Sequence, residues 1–138
     1  MVDSHDDSRD MYADYLRMCR FTVLTAGTTD DGLLRGAAAD VIVTGIRVPG
    51  SFDGVELARR LRATNETKQT PIIVLTACAF EPDQQRAHAA GCNVFLPKPC
   101  LPDRLLSEIC GVLSLRRVAK PRPTPAHANH HHGKRRVS

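Results

Sequence analysis

Three groups of side chains in this sequence are of types that do chemistry: five cysteines, a group of histidines and a group of bases. The cysteines are Cys19, Cys78, Cys92, Cys100 and Cys110. None has a partner at C-x-x-C spacing and the number is odd, so small apolar residues in a reducing compartment are expected rather than a zinc site or redox pair. His127, His130, His131 and His132 could hold a transition metal adventitiously, but a solvated tail is the expected reading. The surrounding stretch, 116–138, carries seven Lys or Arg and no acid. Such bases attract nucleic-acid phosphates without regard to sequence, but no aromatic residue is present there to stack on a base. A further stretch, ADVIVTGIRVPGSFDG at 39–54, leads an apolar run into Gly45, and glycine brings no side-chain nucleophile.

The chain has 138 residues, which suits one domain with a core and a tail. No stretch is apolar over a bilayer-spanning length. The start, MVDSHDDSRD, is polar and acidic, unlike a signal peptide. A cytoplasmic location with no membrane contact is the expectation. With 116–138 set aside, 12 Lys or Arg stand against 15 acids, so the basic balance belongs to the tail.

The apolar residues alternate between two periods. In DSRDMYADYLRMCR, Met11, Tyr12, Tyr15, Leu16 and Cys19 share one helical face. FTVLTA, 21–26, is a short strand, and DDGLLRGAAA is a short helix weakened by its glycines. DVIVT is continuously apolar, the pattern of a strand buried on both faces. Asp53 stands as N-cap to GVELARRLRA, whose Val55, Leu57, Ala58 and Leu61 face inward. PIIVLTA is a second buried strand, with Pro71 at its first position. EPDQQRAHAA carries Pro82 in its first turn and stops at Gly91. NVFLPKP is the last strand. LPDRLLSEICGVLSL is a closing helix that buries Leu105, Leu106, Ile109, Val112 and Leu113. This alternation predicts a parallel sheet covered on both faces over 1–115. Residues 116–138 are expected to be disordered.

Four separated stretches, VDSHDDSRDMYADYL, ADVIVTGIRVPGSFDGVEL, TPIIVLTA and AGCNVFLPKPC, together resemble the response-regulator receiver domain of two-component signalling. The resemblance covers about residues 2–114 and implies a doubly wound α/β fold, five parallel strands in order 2-1-3-4-5 with five helices. It also implies a place in a phosphorelay. In that family a sensor histidine kinase supplies a phosphoryl group to an aspartate ending the third strand. Acids after the first strand help hold Mg²⁺ there.

The family's roles carry over in part. Asp3 matches the first acid, Thr76 the switch hydroxyl, Phe95 the switch aromatic and Lys98 the lysine that pairs with the phosphoryl group. The Lys98–Pro99 bond is a candidate for the cis isomer. Arg47 matches the loop residue whose carbonyl contacts the metal. Ser4 stands in place of the second acid, and Gly45 in place of the phosphoacceptor. The metal site at Asp3 and Arg47 is therefore expected to be vestigial, with no cofactor unless the pocket is still active. A substitute acceptor at Asp3, Asp6 or Asp7 stays open, whereas Asp40 falls at the opposite end of its strand.

The resulting expectation is a stand-alone pseudo-receiver, not an enzyme. It would act by contact with a sensor histidine kinase or another two-component protein through the face around helix four, strand five and helix five. An active acceptor on another acid, a basic-tailed nucleic-acid-associated protein and a non-functional remnant are the alternatives. The family's first strand has shrunk to Met1 and Val2. Two or three buried side chains are thus missing, at ~1.5–3 kcal/mol each. Translation from an upstream start and decay of the sequence both account for this.

Overall fold

Two wholly buried strands organise the molecule. The computed structural model describes residues 1–77, 79–119 and 135–137, with side chains left aside at Asp6, 116–119 and 135–137. Strands β2 (Ile42–Thr44) and β3 (Ile72–Thr76) run parallel, with Ile42 opposite Ile72 and Thr44 opposite Val74. Successive side chains of a strand point to opposite faces. Val41, Val43, Ile73 and Leu75 accordingly enter one apolar cluster, and Ile42, Ile72 and Val74 enter another. Both faces are dry, which is why these runs are apolar without interruption. β4 (Val94–Pro97) adds parallel to β3.

The first face is covered by α1 (Asp6–Met18) and α5 (Pro102–Ala119), through Tyr12, Ala13, Leu16, Leu105, Ile109, Val112 and Leu113. The second is covered by α2 (Thr29–Gly36), α3 (Gly54–Ala63) and α4 (Glu81–Ala89), chiefly through Val55, Leu57, Ala58, Leu61 and Ala87. Asp53 caps α3 as expected, accepting from the Glu56 N–H at 2.8 Å. Gly91 follows α4 at φ +106°, a left-handed value that glycine adopts without steric cost. The Lys98–Pro99 bond is cis.

The shrunken first strand survives as a single bridge. Val2 pairs in parallel with Ala26 on one side and Thr44 on the other. Its N–H donates to Val43 O at 2.7 Å, and its carbonyl accepts from the Gly45 N–H at 2.9 Å. On the other side Ala26 N–H reaches Met1 O and Asp3 N–H reaches Ala26 O. Met1 and Val2 are each 1% exposed. The bridge sets β1 (Phe21–Val23) beside the β2-β3-β4 sheet in the order expected of a doubly wound fold.

Two expectations need correction. The closing helix continues past Leu115 to Ala119, because LRRVA contains good helix formers and no breaker before Pro121. Nor is the rest of 116–138 structureless throughout: β5 (Arg135–Val137) lies parallel to β1, pairing Phe21 with Arg135 and Val23 with Val137. The open edge of β1 offers main-chain partners that composition does not reveal. The histidines at 127 and 130–132 lie outside the described residues. No helix among the described residues is long and apolar enough to cross a membrane.

Candidate functional site

Parallel strands bring their carboxyl ends to one side of the sheet, and the polar residues that follow them share a crevice. Asp3 follows the Val2 bridge, Gly45 follows β2, Thr76 ends β3 and Lys98 follows β4. Together with Ser4, His5, Asp7, Ser8, Ile46, Arg47, Leu75 and Ala77 they line a cavity of about 390 Å³. Asp3, Ser4, Gly45, Arg47, Thr76 and Lys98 are thus brought together as expected. Phe95 is not among the lining residues. It is half-buried on β4, packed against the second apolar cluster, with its ring 6.4 Å from that of His88.

The cavity's charges are tied to one another. The Lys98 ammonium donates to Asp3 Oδ2 at 2.7 Å and to Ser8 Oγ at 3.2 Å. Asp3 Oδ1 accepts from the His5 N–H at 3.0 Å, with His5 Nδ1 3.5 Å away. The Asp3 side chain is 6% exposed and that of Lys98 18%. Burial alone raises the Asp3 carboxyl, but the His5 N–H and the Lys98 ammonium outweigh it and hold the group below the ordinary carboxylate value. Arg9 Nη1 adds a bond to the Asp3 carbonyl at 3.0 Å.

Ser4 is turned to the loop after β2, where its hydroxyl donates to Arg47 O at 3.4 Å. That carbonyl is the one the family resemblance assigned to metal. The donor set suits a divalent ion poorly. Mg²⁺ calls for hard, anionic oxygens in near-octahedral array. The one buried carboxylate among the described residues, Asp3, is engaged on both oxygens, and the position of the second acid offers only a hydroxyl. Among the described residues no cluster of three or more metal-ligating side chains occurs. Asp7 lines the cavity and is exposed, and Asp6 is the first residue of α1.

Gly45 is closely surrounded at its main chain but open at its α-carbon. A Cβ placed there would meet Val48 Cγ2 at 3.4 Å and Leu75 O at 3.6 Å, ordinary contact distances. Gly54, at the start of α3, is different: a Cβ there would fall 1.7 Å from the Gly45 carbonyl oxygen. The bare α-carbon of Gly54 is what lets α3 dock against the loop that carries the site.

Sequence reasoning missed His5 and Ser8. A signal existed for His5, since an aspartate often accepts from the N–H two residues on, as Asp3 does here. Ser8 had a weaker one, lying in the first turn of the helix that follows Asp3. Cys92 is buried, and that burial pushes its thiol up to about 11, away from the thiolate form that reactive cysteines need.

The profile of the response regulator receiver domain matches residues 1–110. Among curated proteins, the phosphate regulon transcriptional regulatory protein PhoB of Rhizobium meliloti is 33% identical over 113 residues, covering 75% of this chain and 48% of that protein. The cyclic di-GMP phosphodiesterase response regulator RpfG of Xanthomonas campestris is 40% identical over 81 residues, 59% of this chain and 21% of its own length. The polar-differentiation response regulator DivK of Brucella anthropi is 30% identical over 77 residues, 56% of this chain and 62% of its own. The chain thus spans less than two thirds of each. Among solved structures, a response regulator from Chloroflexus aurantiacus superposes with a TM-score of 0.76 at 29% identity, covering 82% of this chain and 93% of that one. A CheY-like receiver domain from Methanospirillum hungatei shares the fold at a TM-score of 0.80 and 21% identity, covering 86% and 94%. With the fold, the crevice at the strand ends and the matched profile in agreement, this chain belongs to the response-regulator receiver domain family of two-component signalling.

Proposed function

We propose that this chain is a pseudo-receiver: it works in two-component signalling by binding a sensor histidine kinase or another signalling protein, and it accepts no phosphoryl group itself. The observation that carries this reading is Gly45 just past the carboxyl end of β2, where an acyl phosphate would need a carboxylate. The Lys98–Asp3 pair supports it. The lysine that would meet a phosphoryl oxygen is already neutralised by a buried acid 2.7 Å away. Drawing Lys98 off would leave Asp3 buried with its charge less compensated, which costs more than the pair itself gains. The pocket then serves as a fixed platform that holds the loops around it, and no Mg²⁺ is needed.

A second reading rests on Asp7, which lines the same cavity and could act as acceptor in place of residue 45. One experiment separates the two. The native chain, Gly45→Asp and the double variant Ser4→Asp/Gly45→Asp are incubated with a small-molecule phosphodonor and Mg²⁺, and their intact masses are compared. Only the double variant should gain a phosphoryl group, since a Cβ at Gly45 meets its neighbours at ordinary contact distances and Ser4→Asp restores the missing ligand. A native chain that gains the group, and loses that ability on Asp7→Asn, would establish the second reading instead.

A further inference from the structure

The link from β4 into α5 reads Pro97-Lys98-Pro99-Cys100-Leu101-Pro102. Half of it is proline, so few main-chain N–H groups are available to fix it. The Lys98 N–H goes to Thr76 O at 2.8 Å. Past that last rung to β3, Asp3, Ser8 and Tyr12 tie the link to the start of the chain. Asp3 Oδ2 and Ser8 Oγ accept from the Lys98 ammonium. One helical turn beyond Ser8, Tyr12 donates its hydroxyl to Cys100 O at 2.6 Å. Tyr12 is buried in the first apolar cluster, and Cys100 packs against the same cluster. A buried phenol needs an acceptor. Cys100 O in turn lies just ahead of the α5 ladder, whose first bonds run from the Arg104 and Leu105 N–H groups to Leu101 O. A carbonyl turned inward at that point needs a donor. The outer side of the link is surface: it walls a hollow of about 470 Å³, and Leu101 is 71% exposed.

We propose that α1 is a clasp on this link, with Tyr12 as its positioning residue, so that the start of α5 keeps one shape whatever the pocket holds. The proposal rests on the reading above, in which the chain works by contact and a partner meets a surface that needs no phosphoryl group to set it. Ser8 and Tyr12 stand at i and i+4 on α1 and share a face. One reaches the pocket's lysine, and the other reaches the carbonyl two residues further on. The two ties differ in kind. The Lys98 tie lies in the pocket, where an anion would compete for the ammonium. The Tyr12 tie joins two residues that do not line the pocket, and its burial keeps water from competing for the bond. The link therefore stays set at its far end even when Lys98 is drawn off.

The test uses the free full chain with no phosphodonor, so it can fail while the reading above stands. Tyr12→Phe removes one oxygen and keeps the ring in the core. Tyr15→Phe makes the same change at a half-buried phenol of the same helix, and Asp3→Asn loosens the pocket end of the link instead. Hydrogen exchange is followed at the amides of Arg104 and Leu105, which bond to Leu101 O. The Gln84 and Ala90 amides of α4, a helix on the other face that buries Ala87, serve as reference. In Tyr12→Phe the two α5 amides should exchange about fivefold faster, the effect of one lost hydrogen bond on a local opening, while α4 keeps its native rates. Tyr15→Phe and Asp3→Asn should leave the two α5 amides near their native rates. Native rates at Arg104 and Leu105 in Tyr12→Phe overturn the proposal, as does an equal rise in α4. A Tyr15→Phe or Asp3→Asn chain whose α5 amides speed up as much as those of Tyr12→Phe overturns it too.

Discussion

At the carboxyl end of the strands, Asp3, Ser8 and Lys98 are tied to one another; at the amino end, Arg62 is tied to main chain. Arg62 Nε donates to Gly91 O at 3.0 Å, Nη2 to Asn93 Oδ1 at 2.8 Å, and Nη1 to the carbonyls of Thr67, Lys68 and Thr70 at 3.3, 3.2 and 2.5 Å. Asn93 Oδ1 also accepts from the Ile72 N–H. One guanidinium thereby holds the α3–β3 connection, the end of α4 and the entrance of β3 together. This end carries the larger hollow, about 910 Å³, lined in part by Arg62, Lys68, Glu108 and Leu115. Size is therefore a poor guide to where chemistry belongs in this molecule. The amino end uses a planar, five-donor cation against fixed carbonyls, which is structural bracing. The carboxyl end uses a flexible ammonium against a carboxylate and a hydroxyl, a pairing that a ligand could in principle redistribute and that here closes on itself.

The comparison can be broken most sharply between the two glycines of the carboxyl end. Gly54→Ala should be the most damaging single change, because its Cβ would overlap the Gly45 carbonyl. A loss of about 3 kcal/mol or more is expected from urea unfolding, at the upper end of overpacking costs. Arg62→Met comes next. It removes the guanidinium from four carbonyls and Asn93, of which Thr67 O keeps the Thr70 N–H and Asn93 Oδ1 the Ile72 N–H, for an expected loss of about 2 kcal/mol by the same measurement. Arg62→Lys should recover only a minor part, since one ammonium cannot span the same acceptors.

Asp3→Asn should cost less, about 1–2 kcal/mol at neutral pH, and its distinguishing mark is pH dependence. The Asp3 carboxyl is depressed in the folded state. Its contribution is complete above the unfolded value of about 3.9 and fades as pH falls through the lower folded value. Thermal melts from pH 6 to pH 2 should show a shallower acid decline for Asp3→Asn than for the native chain. Gly45→Ala should have the smallest effect, within about 1 kcal/mol and toward greater stability, because a Cβ fits and the unfolded chain loses freedom. A large loss there would mean that the bare α-carbon is needed for packing, and the platform reading of the pocket would have to be revised.

Much of this architecture was legible in the sequence. The runs DVIVT and PIIVLTA declare strands buried on both faces, and Asp53 declares the start of α3. The grouping of Asp3, Thr76 and Lys98 followed from the family resemblance, because parallel strands must deliver their ends to one side. What stayed hidden depends on main-chain geometry. Arg62 sits on a helix among Arg59 and Arg60 and looks like one more solvated base; only the path of 67–70 and 91–93 makes it a brace. The β5 strand is short, basic and preceded by proline and histidine, so composition argues against order, and only the vacant edge of β1 favours it. The pairing partners His5 and Ser8 depend on where α1 begins, within a residue or two, and sequence patterns locate helix starts no more finely than that.

The Val2 bridge gives the domain a direction of mechanical weakness. Toward β2 the contact consists of two main-chain bonds, through the Val2 N–H and its carbonyl. Toward β1 the three residues at the start of the chain share three, counting the Met1 amine. A pulling force applied between β1 and β4 would therefore part the molecule along the Val2–β2 seam, and β1 would leave with residues 1–3 attached, before β2, β3 and β4 let go of one another.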